Sequence, residues 1–309
     1  MRLFHHTFNR LFQHDKWAIA VVKADPEQLN QGILPSPIQW LTPRFGQYMA
    51  DPFLFRHNDK DYLLYELFTF ASGTGKNVIA ELVKRENGQY HLRSEQIICD
   101  EPFHQSYPFV FSSKENIYCI PEQSESNSLR LYRATDFPKT WMLDTVLIDN
   151  FPVVDPTIFQ HKGRWWLLAT SGRDGQQDSH LYAWHSKDLR GSWHPHMLNP
   201  IQIGHGKVRP AGPAYSLGNE LYRPVQFLAK RYGDGGLLIK KVLELSPSTF
   251  CEQTVARIKP FQEYPRGLHH LCMGTNLAVV DGNRYASPVE VLIKCLGILR
   301  KKFTPSNRQ

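Results

Sequence analysis

The chain has 309 residues, 41% hydrophobic and 12% aromatic, with 21 prolines and 20 glycines spread along its length, so it reads as a globular, β-rich protein without a long linker. A net charge of +7 and a pI near 9.1 fit either a basic surface or an anionic partner, but no zinc-finger, helix-turn-helix or RNA-binding signature is present, which sets nucleic acid aside. No apolar run reaches the ~20 residues of a membrane span, Trp17–Val22 is too short for a signal peptide, and Cys99, Cys119, Cys251, Cys272 and Cys295 form no CxxC pair; the expectation is a cytoplasmic protein with reduced thiols.

In chain order, residues 1–16 read as an extension, and Trp17–Val22 and Ile38–Leu41 as short strands. A four-strand unit follows at 52–56, 62–66, 77–82 and 90–98, with turns at Asn58-Asp59, Gly73-Thr74-Gly75 and Asn87-Gly88. A second unit runs 109–111, 117–120, 129–133 and 141–148. The third has 157–159, 165–169 and 180–185, closing near Trp193; the fourth has 214–215, 221–225, 237–245 and 251–257. A fifth begins at Leu268-His269-His270-Leu271, turns at Asp281-Gly282-Asn283 and then lacks strands, which the two N-terminal segments are expected to supply. Residues 289–309 form a basic tail, in which Val289–Phe303 has helical apolar spacing with Lys294, Arg300, Lys301 and Lys302. Such a helix either packs on the side of the domain or contacts an anionic membrane surface peripherally, on its inner face.

The units share an opening: Asp51-Pro52, Tyr107-Pro108, Asp155-Pro156 and Arg209-Pro210, with prolines 56, 48 and 54 residues apart. A period near 50 with short strands predicts an all-β, five-bladed β-propeller over residues 17–288, closed by the N-terminal strands and followed by a short helix. In a propeller the residues before those prolines face one mouth of the central channel.

Chemistry is therefore sought at that mouth. Asp51 and Asp155 are carboxylates in repeat register, the minimum equipment for acid–base or nucleophilic work at an anomeric carbon; an Asp before Pro also simply starts a turn. Glu66 and Glu122 end the second strands of blades one and two, placed to bond sugar hydroxyls or to act as the acid. His104, Ser106 and Tyr107 form an unusually polar entry to blade two. Arg209, with Arg223 and Gln226 on the next strand, suits an anionic group, and one of His269 and His270 points into the funnel. No ligand set implies a metal, and Gly73-Thr74-Gly75-Lys76 lacks the rest of a phosphate loop, so no cofactor is expected.

The stretches His104–Phe111, Ile120-Pro121-Glu122, Leu129–Ala134 with Phe137-Pro138 and Trp141, and Gly267–His270 resemble the N-terminal propeller domain of plant glucosamine inositolphosphorylceramide transferases and their bacterial relatives, over roughly residues 48 to 285. In the plant proteins that domain precedes a glycosyltransferase domain with no counterpart in these 309 residues, so the resemblance does not carry the transfer reaction over. More distantly, the layout is similar to five-bladed glycoside hydrolases of the arabinanase/xylosidase type. That resemblance implies a base at Asp51 and a pKa-tuning carboxylate at Asp155, but where it implies an acid in a Glu-Gly-Pro triplet this chain has Ala211-Gly212-Pro213. Either Glu66 or Glu122 replaces that acid, or transfer from an activated donor such as a sugar nucleotide needs none, with Arg209 stabilising the leaving phosphate, or the funnel only binds. The resulting expectation is a carbohydrate-active propeller handling a glycan, glycolipid or sugar nucleotide in surface-polysaccharide or glycolipid assembly, by glycosyltransferase or glycoside hydrolase-like chemistry. Its alternative is a non-catalytic carbohydrate-binding module beside a separate glycosyltransferase.

Overall fold

A computed structural model describes residues 14–303; the expected extension over 1–13 and the last six residues of the tail lie outside the described residues. Strands β1 (Asp15–Lys23) and β2 (Gln39–Leu41) come first, separated by the single-turn helix α1 (Pro26–Asn30). Blade one is β3 (Gln47–His57), β4 (Lys60–Thr69), β5 (Thr74–Lys84) and β6 (Tyr90–Ile97). Blade two is β7 (Ser106–Ser113), β8 (Asn116–Glu122), β9 (Ser128–Asp136) and β10 (Thr140–Asp149). Blade three is β11 (Val153–His161), β12 (Arg164–Ser171), β13 (His180–Ser186) and β14 (His194–Pro195), with β15 (Gln202–Ile203) also pairing β13. Blade four is β16 (Tyr215–Leu217), β17 (Glu220–Leu228), β18 (Gly235–Leu245) and β19 (Phe250–Ile258).

Blade five is composite, in the order β20-β21-β1-β2, where β20 is Leu271–Met273 and β21 is Leu277–Tyr285. The expected ring closure is present: β1 pairs with β21 along its length, from Asp15 opposite Tyr285 to Lys23 opposite Leu277. One expectation is corrected here. Asp281-Gly282-Asn283 is not a turn but the middle of β21, because Ala278, Val279 and Val280 before it are fully buried and the chain reverses earlier, at 274–276. Gly282 is needed for packing instead: a Cβ there would meet the Trp40 ring at 2.7 Å and Tyr264 at 2.8 Å.

Alternating apolar residues of the inner strands fill the spaces between blades. Phe53, Leu64, Tyr107, Ile120, Ile158 and Leu167 share one cluster across blades one to three. Ala211, Leu237, Ile239, Leu271 and Val280 form another between blades four and five.

The repeated opening has a specific backbone form. In β3 the ladder jumps from Ala50 opposite Glu66 to Phe53 opposite Leu64, so Asp51-Pro52 faces one partner residue, a β-bulge. The same jump occurs at Tyr107-Pro108 and Asp155-Pro156. At each bulge the residue before proline is left-handed, with φ of 52° at Asp51, 47° at Tyr107 and 50° at Asp155. That conformation costs about 1–3 kcal/mol per non-glycine residue, so surrounding contacts must hold it. The bulge turns both the side chain and the N–H of that residue toward the channel. Blade four departs from the pattern: Arg209 is not left-handed, and Pro210 makes only an isolated bridge to Val225.

Helix α2 (Pro288–Phe303) follows β21. Its start is a capping box: Ser287 Oγ accepts from Glu290 N at 3.3 Å, and Glu290 Oε2 accepts from Ser287 N at 3.0 Å. Val291 packs with Phe68 and Phe70, and Gly297 lies against the Ala71 carbonyl too closely for a Cβ. Glu290 also bonds Lys16 and the Gly46 N–H, fixing the helix to the rim of blade one.

Candidate functional site

The three bulges expose backbone N–H groups at the channel, and each is received by a carboxylate of the preceding blade. Asp51 N donates to Asp281 Oδ2 at 3.2 Å, Tyr107 N to Asp51 Oδ2 at 3.2 Å, and Asp155 N to Glu122 Oε2 at 3.0 Å. Carboxylates thus stitch blade five to one, one to two and two to three. Tyr107 extends the seam: its hydroxyl donates to Thr157 Oγ1 at 2.8 Å and accepts from Gly212 N at 2.8 Å.

His269 sits at the centre. Its Nδ1 faces Asp51 Oδ1 at 2.6 Å and its Nε2 faces Asp155 Oδ2 at 3.3 Å. With an acceptor at each nitrogen the ring donates twice and is an imidazolium. Burial opposes that charge, but Asp51 and Asp155 outweigh it and push the ring's pKa well above the ordinary histidine value. Burial likewise opposes the charge on Asp155, yet Arg209 and His269 hold its carboxyl well below the usual range. Arg209 bonds Asp155 through Nε, reaches Asp178 at 3.4 Å and lies 4.9 Å from the Tyr232 ring. Two carboxylates and two cations therefore alternate in a buried centre.

Asp281 anchors this centre from β21. Its Oδ1 accepts from the His269 and His270 N–H groups, both at 2.8 Å, and burial raises its pKa to about 6. Sequence reasoning passed over it because Asp-Gly-Asn is a common turn triplet; the buried apolar run Ala278–Val280 before it was the available signal. Asp51, His269 and Asp281 are also the grouping among the described residues whose donor atoms converge as a metal site requires. Those atoms are already engaged: Asp281 accepts three N–H bonds, and His269 donates to Asp51. This fits an internally satisfied cluster better than a metal centre.

His270 points the other way, as alternation requires, with its ring 4.4 Å from Phe53 and 5.0 Å from Tyr107 by centroid. Burial lowers its pKa to about 3, so it is neutral, and neither ring nitrogen has a protein partner. Asp155 Oδ1, Thr170 Oγ1 and both amide atoms of Gln226 are likewise buried and unpartnered. Such groups are normally met by ordered water or a ligand.

Glu66, Glu122 and Thr170 hold matching ladder positions, opposite Ala50, Ser106 and Val154 just before each bulge. Burial raises the pKa of Glu66 well above the carboxylate norm, helped by the charges of Asp51 and Glu122. Burial and the Asp155 charge do the same to Glu122, against the pull of Arg209. Glu122 is partly exposed, and its Oε2 accepts the Asp155 N–H. Glu66 lies deeper, 3.5 Å from the Tyr48 hydroxyl and 3.6 Å from His104 Nε2. His104 Nδ1 accepts from Gly75 N at 2.9 Å, which leaves the proton on Nε2, toward Glu66. The pair is thus two carboxyl groups at the mouth whose pKa values are both held above the carboxylate norm.

The remaining expected residues divide. Ser106 is buried beside the site, its carbonyl held by Asn77 at 3.3 Å. Arg223 is not brought to the cluster: its guanidinium grips Glu252 at 2.6 and 2.9 Å, and Lys240 shares that carboxylate at 2.6 Å. On a strand, Arg223 and Gln226, three residues on, point to opposite faces of the blade, and Gln226 is buried. Ala211 is fully buried in the apolar cluster, so no acid stands at the blade-four triplet.

Two enzymes of known structure share the fold: a family 117 glycoside hydrolase produced by the marine bacterium Zobellia galactanivorans (TM-score 0.52, 12% identity, 88% of this chain and 91% of that one) and a GH32 beta-fructofuranosidase of Bombyx mori (TM-score 0.50, 13% identity, 88% and 58%). In sequence the chain is 34% identical over 265 residues to glucosamine inositolphosphorylceramide transferase 1 of Oryza sativa subsp. japonica, covering 80% of this chain and 35% of that protein. It is 31% identical over 261 residues to the Arabidopsis thaliana protein of the same name, covering 78% and 33%. The chain thus spans about a third of the length of these relatives. Its residues 42–267 match the profile of the family described as glucosamine inositolphosphorylceramide transferase 1, N-terminal, and the chain belongs to that family.

Proposed function

We propose that the funnel receives a glycan, or the sugar head of a glycolipid, and that Glu122 and Glu66 are the groups that meet it. Asp51 and Asp155 form the floor. Both oxygens of Asp51 are occupied, by His269 and the Tyr107 N–H, and a nucleophile or base needs a free one. The observation that carries the reading is the register-matched pair Glu66 and Glu122, whose pKa values burial holds well above the carboxylate norm, because glycosidic chemistry uses two carboxyl groups of which one starts protonated. Glu122, partly exposed at the mouth, is the proton donor. Glu66, beside His104, anchors a hydroxyl and holds the site's second carboxyl. The kinship with transferases named for an inositolphosphorylceramide acceptor supports a glycolipid-type ligand.

A second reading, a binding module without turnover, is favoured by the engaged oxygens of Asp51 and by Ala211 at the blade-four triplet. Purified protein screened by thermal shift and then by turnover against oligosaccharides, sugar nucleotides and inositolphosphate-headed lipids tests both. Concentration-dependent stabilisation by a sugar ligand supports the site. Turnover that Glu122→Gln abolishes with affinity retained supports catalysis, and stabilisation without turnover supports the module. No stabilisation by any sugar-bearing compound refutes the proposal.

A further inference from the structure

Helix α2 is apolar on two sides. One side is the seam with blade one already described. On the opposite side Val289, Leu292, Leu296 and Leu299 recur at i, i+3, i+7 and i+10, one continuous stripe, and each is about half exposed (57%, 55%, 50% and 49%). Single exposed leucines are ordinary, but four in helical register on one face are not. Near the start of the helix lies the loop at 43–46, tied to Glu290 through the Gly46 N–H; there Phe45 is 65% exposed, and the Arg44 side chain, 3.8 Å from Glu95, is 86% exposed.

Charge indicates what covers this face. Arg300, Lys301 and Lys302 occupy the last turn of the helix, Arg44 flanks its first turn, and the chain as a whole carries +7. A leucine stripe flanked by basic residues is the composition of a helix that lies in the plane of an anionic lipid surface. Its length and charge exclude spanning: among the described residues no helix is long and apolar enough to cross a membrane.

We infer that the outer face of α2, with Phe45 and Arg44, docks the protein on an anionic bilayer. The helix stands directly behind the site: Lys294 lies 5.1 Å from the Phe68 ring, Phe68 stacks on Tyr48, and Tyr48 faces Glu66. Docking through this face sets the funnel mouth beside lipid headgroups. That last consequence rests on the sugar-binding reading above, whereas the docking does not.

Vesicle flotation of the full chain tests the docking without any sugar. The wild type is expected to float with phosphatidylglycerol/phosphatidylcholine vesicles, less so as salt rises, and weakly with phosphatidylcholine alone. Leu292→Asn/Leu296→Asn should lower affinity roughly a hundredfold, about tenfold per leucine withdrawn from lipid. Its melting temperature should not change, since both side chains are exposed. Met197→Ser, at a 78% exposed methionine remote in sequence from the stripe, should float as the wild type does. Three results overturn the inference: a wild type that does not float, a double variant that floats equally well, or a wild-type dimer that the double substitution dissolves while neither protein floats, which assigns the stripe to a second copy of the chain.

Discussion

Replacing His269 by alanine removes the cation between two buried carboxylates. Asp155 keeps Arg209, but Asp51 is left with only the Tyr107 N–H. Breaking a buried ion pair from one side costs about 3–5 kcal/mol, a large share of the ~5–15 kcal/mol that holds a domain together. For a domain of this size the melting temperature should drop by on the order of 10 °C. His269→Ala/Asp51→Asn, which also removes the stranded charge, should recover part of the loss, with a coupling of about 1–3 kcal/mol in a double-mutant cycle by urea denaturation. The effect also has a pH signature. The folded ring holds its proton above the pH at which the unfolded chain, with a histidine pKa near 6.5, releases it. Its contribution is therefore complete below about pH 6.5 and is lost as pH rises toward the folded-state value, at about 1.36 kcal/mol per unit. Wild type should thus lose stability faster than His269→Ala between about pH 7 and 9. A single variant that loses under ~1 kcal/mol and keeps the wild-type slope would refute a charged ring at the centre.

Glu122→Gln should leave the melting temperature nearly unchanged and, with a substrate in hand, lower turnover by about 10²–10⁴-fold. Because the Glu122 pKa is raised well above 4.5, the wild-type rate should fall on an alkaline limb displaced upward from the carboxylate range, and the variant should lack that limb. Gly75→Ala places a Cβ against Glu66 Oε1 and 2.8 Å from the His104 ring, so it should destabilise by about 1–3 kcal/mol in denaturant titration and weaken sugar binding together. Arg223→Met strands part of the Glu252 charge, which Lys240 still meets; it should cost about 2 kcal/mol yet leave sugar affinity intact, since its guanidinium lies outside the cluster.

The proline repeat made the blades countable from sequence, because three of the four X-Pro openings are bulges where an inner strand enters the channel. The conformation at those bulges was not legible. A left-handed Asp51 or Tyr107 is held by carboxylates from another blade, and the bond from the Asp51 N–H to the Asp281 carboxylate spans 230 residues. The residues before the prolines do converge on one cluster, as Asp51, Asp155 and Arg209 show, but roles were assigned by residue type. Asp51 and Asp155 looked like a reactive pair because nothing in the sequence says that His269 lies between them. Arg223 looked like a ligand for anions because only tertiary structure supplies Glu252. Glu66 and Glu122 were visible as matched strand ends, and their protonation depends on burial, which no spacing reveals.

The composite fifth blade sets an order of events during synthesis. β1 emerges early but has only the short β2 on one edge until β21 is made, since Asp15 pairs with Tyr285. The same late segment carries His269 and Asp281, so the partner of the Asp51 N–H and the bridge between Asp51 and Asp155 are missing until then, although Asp155 already has Glu122 and Arg209. Blades one to three can gather locally, whereas the longest-range pairing comes last and is the slow step. Closure and the arming of the mouth are one event. A chain stopped short of β21 is not a weakened version of this protein but one whose charged centre has never been assembled, with β1 left as an open edge for other chains.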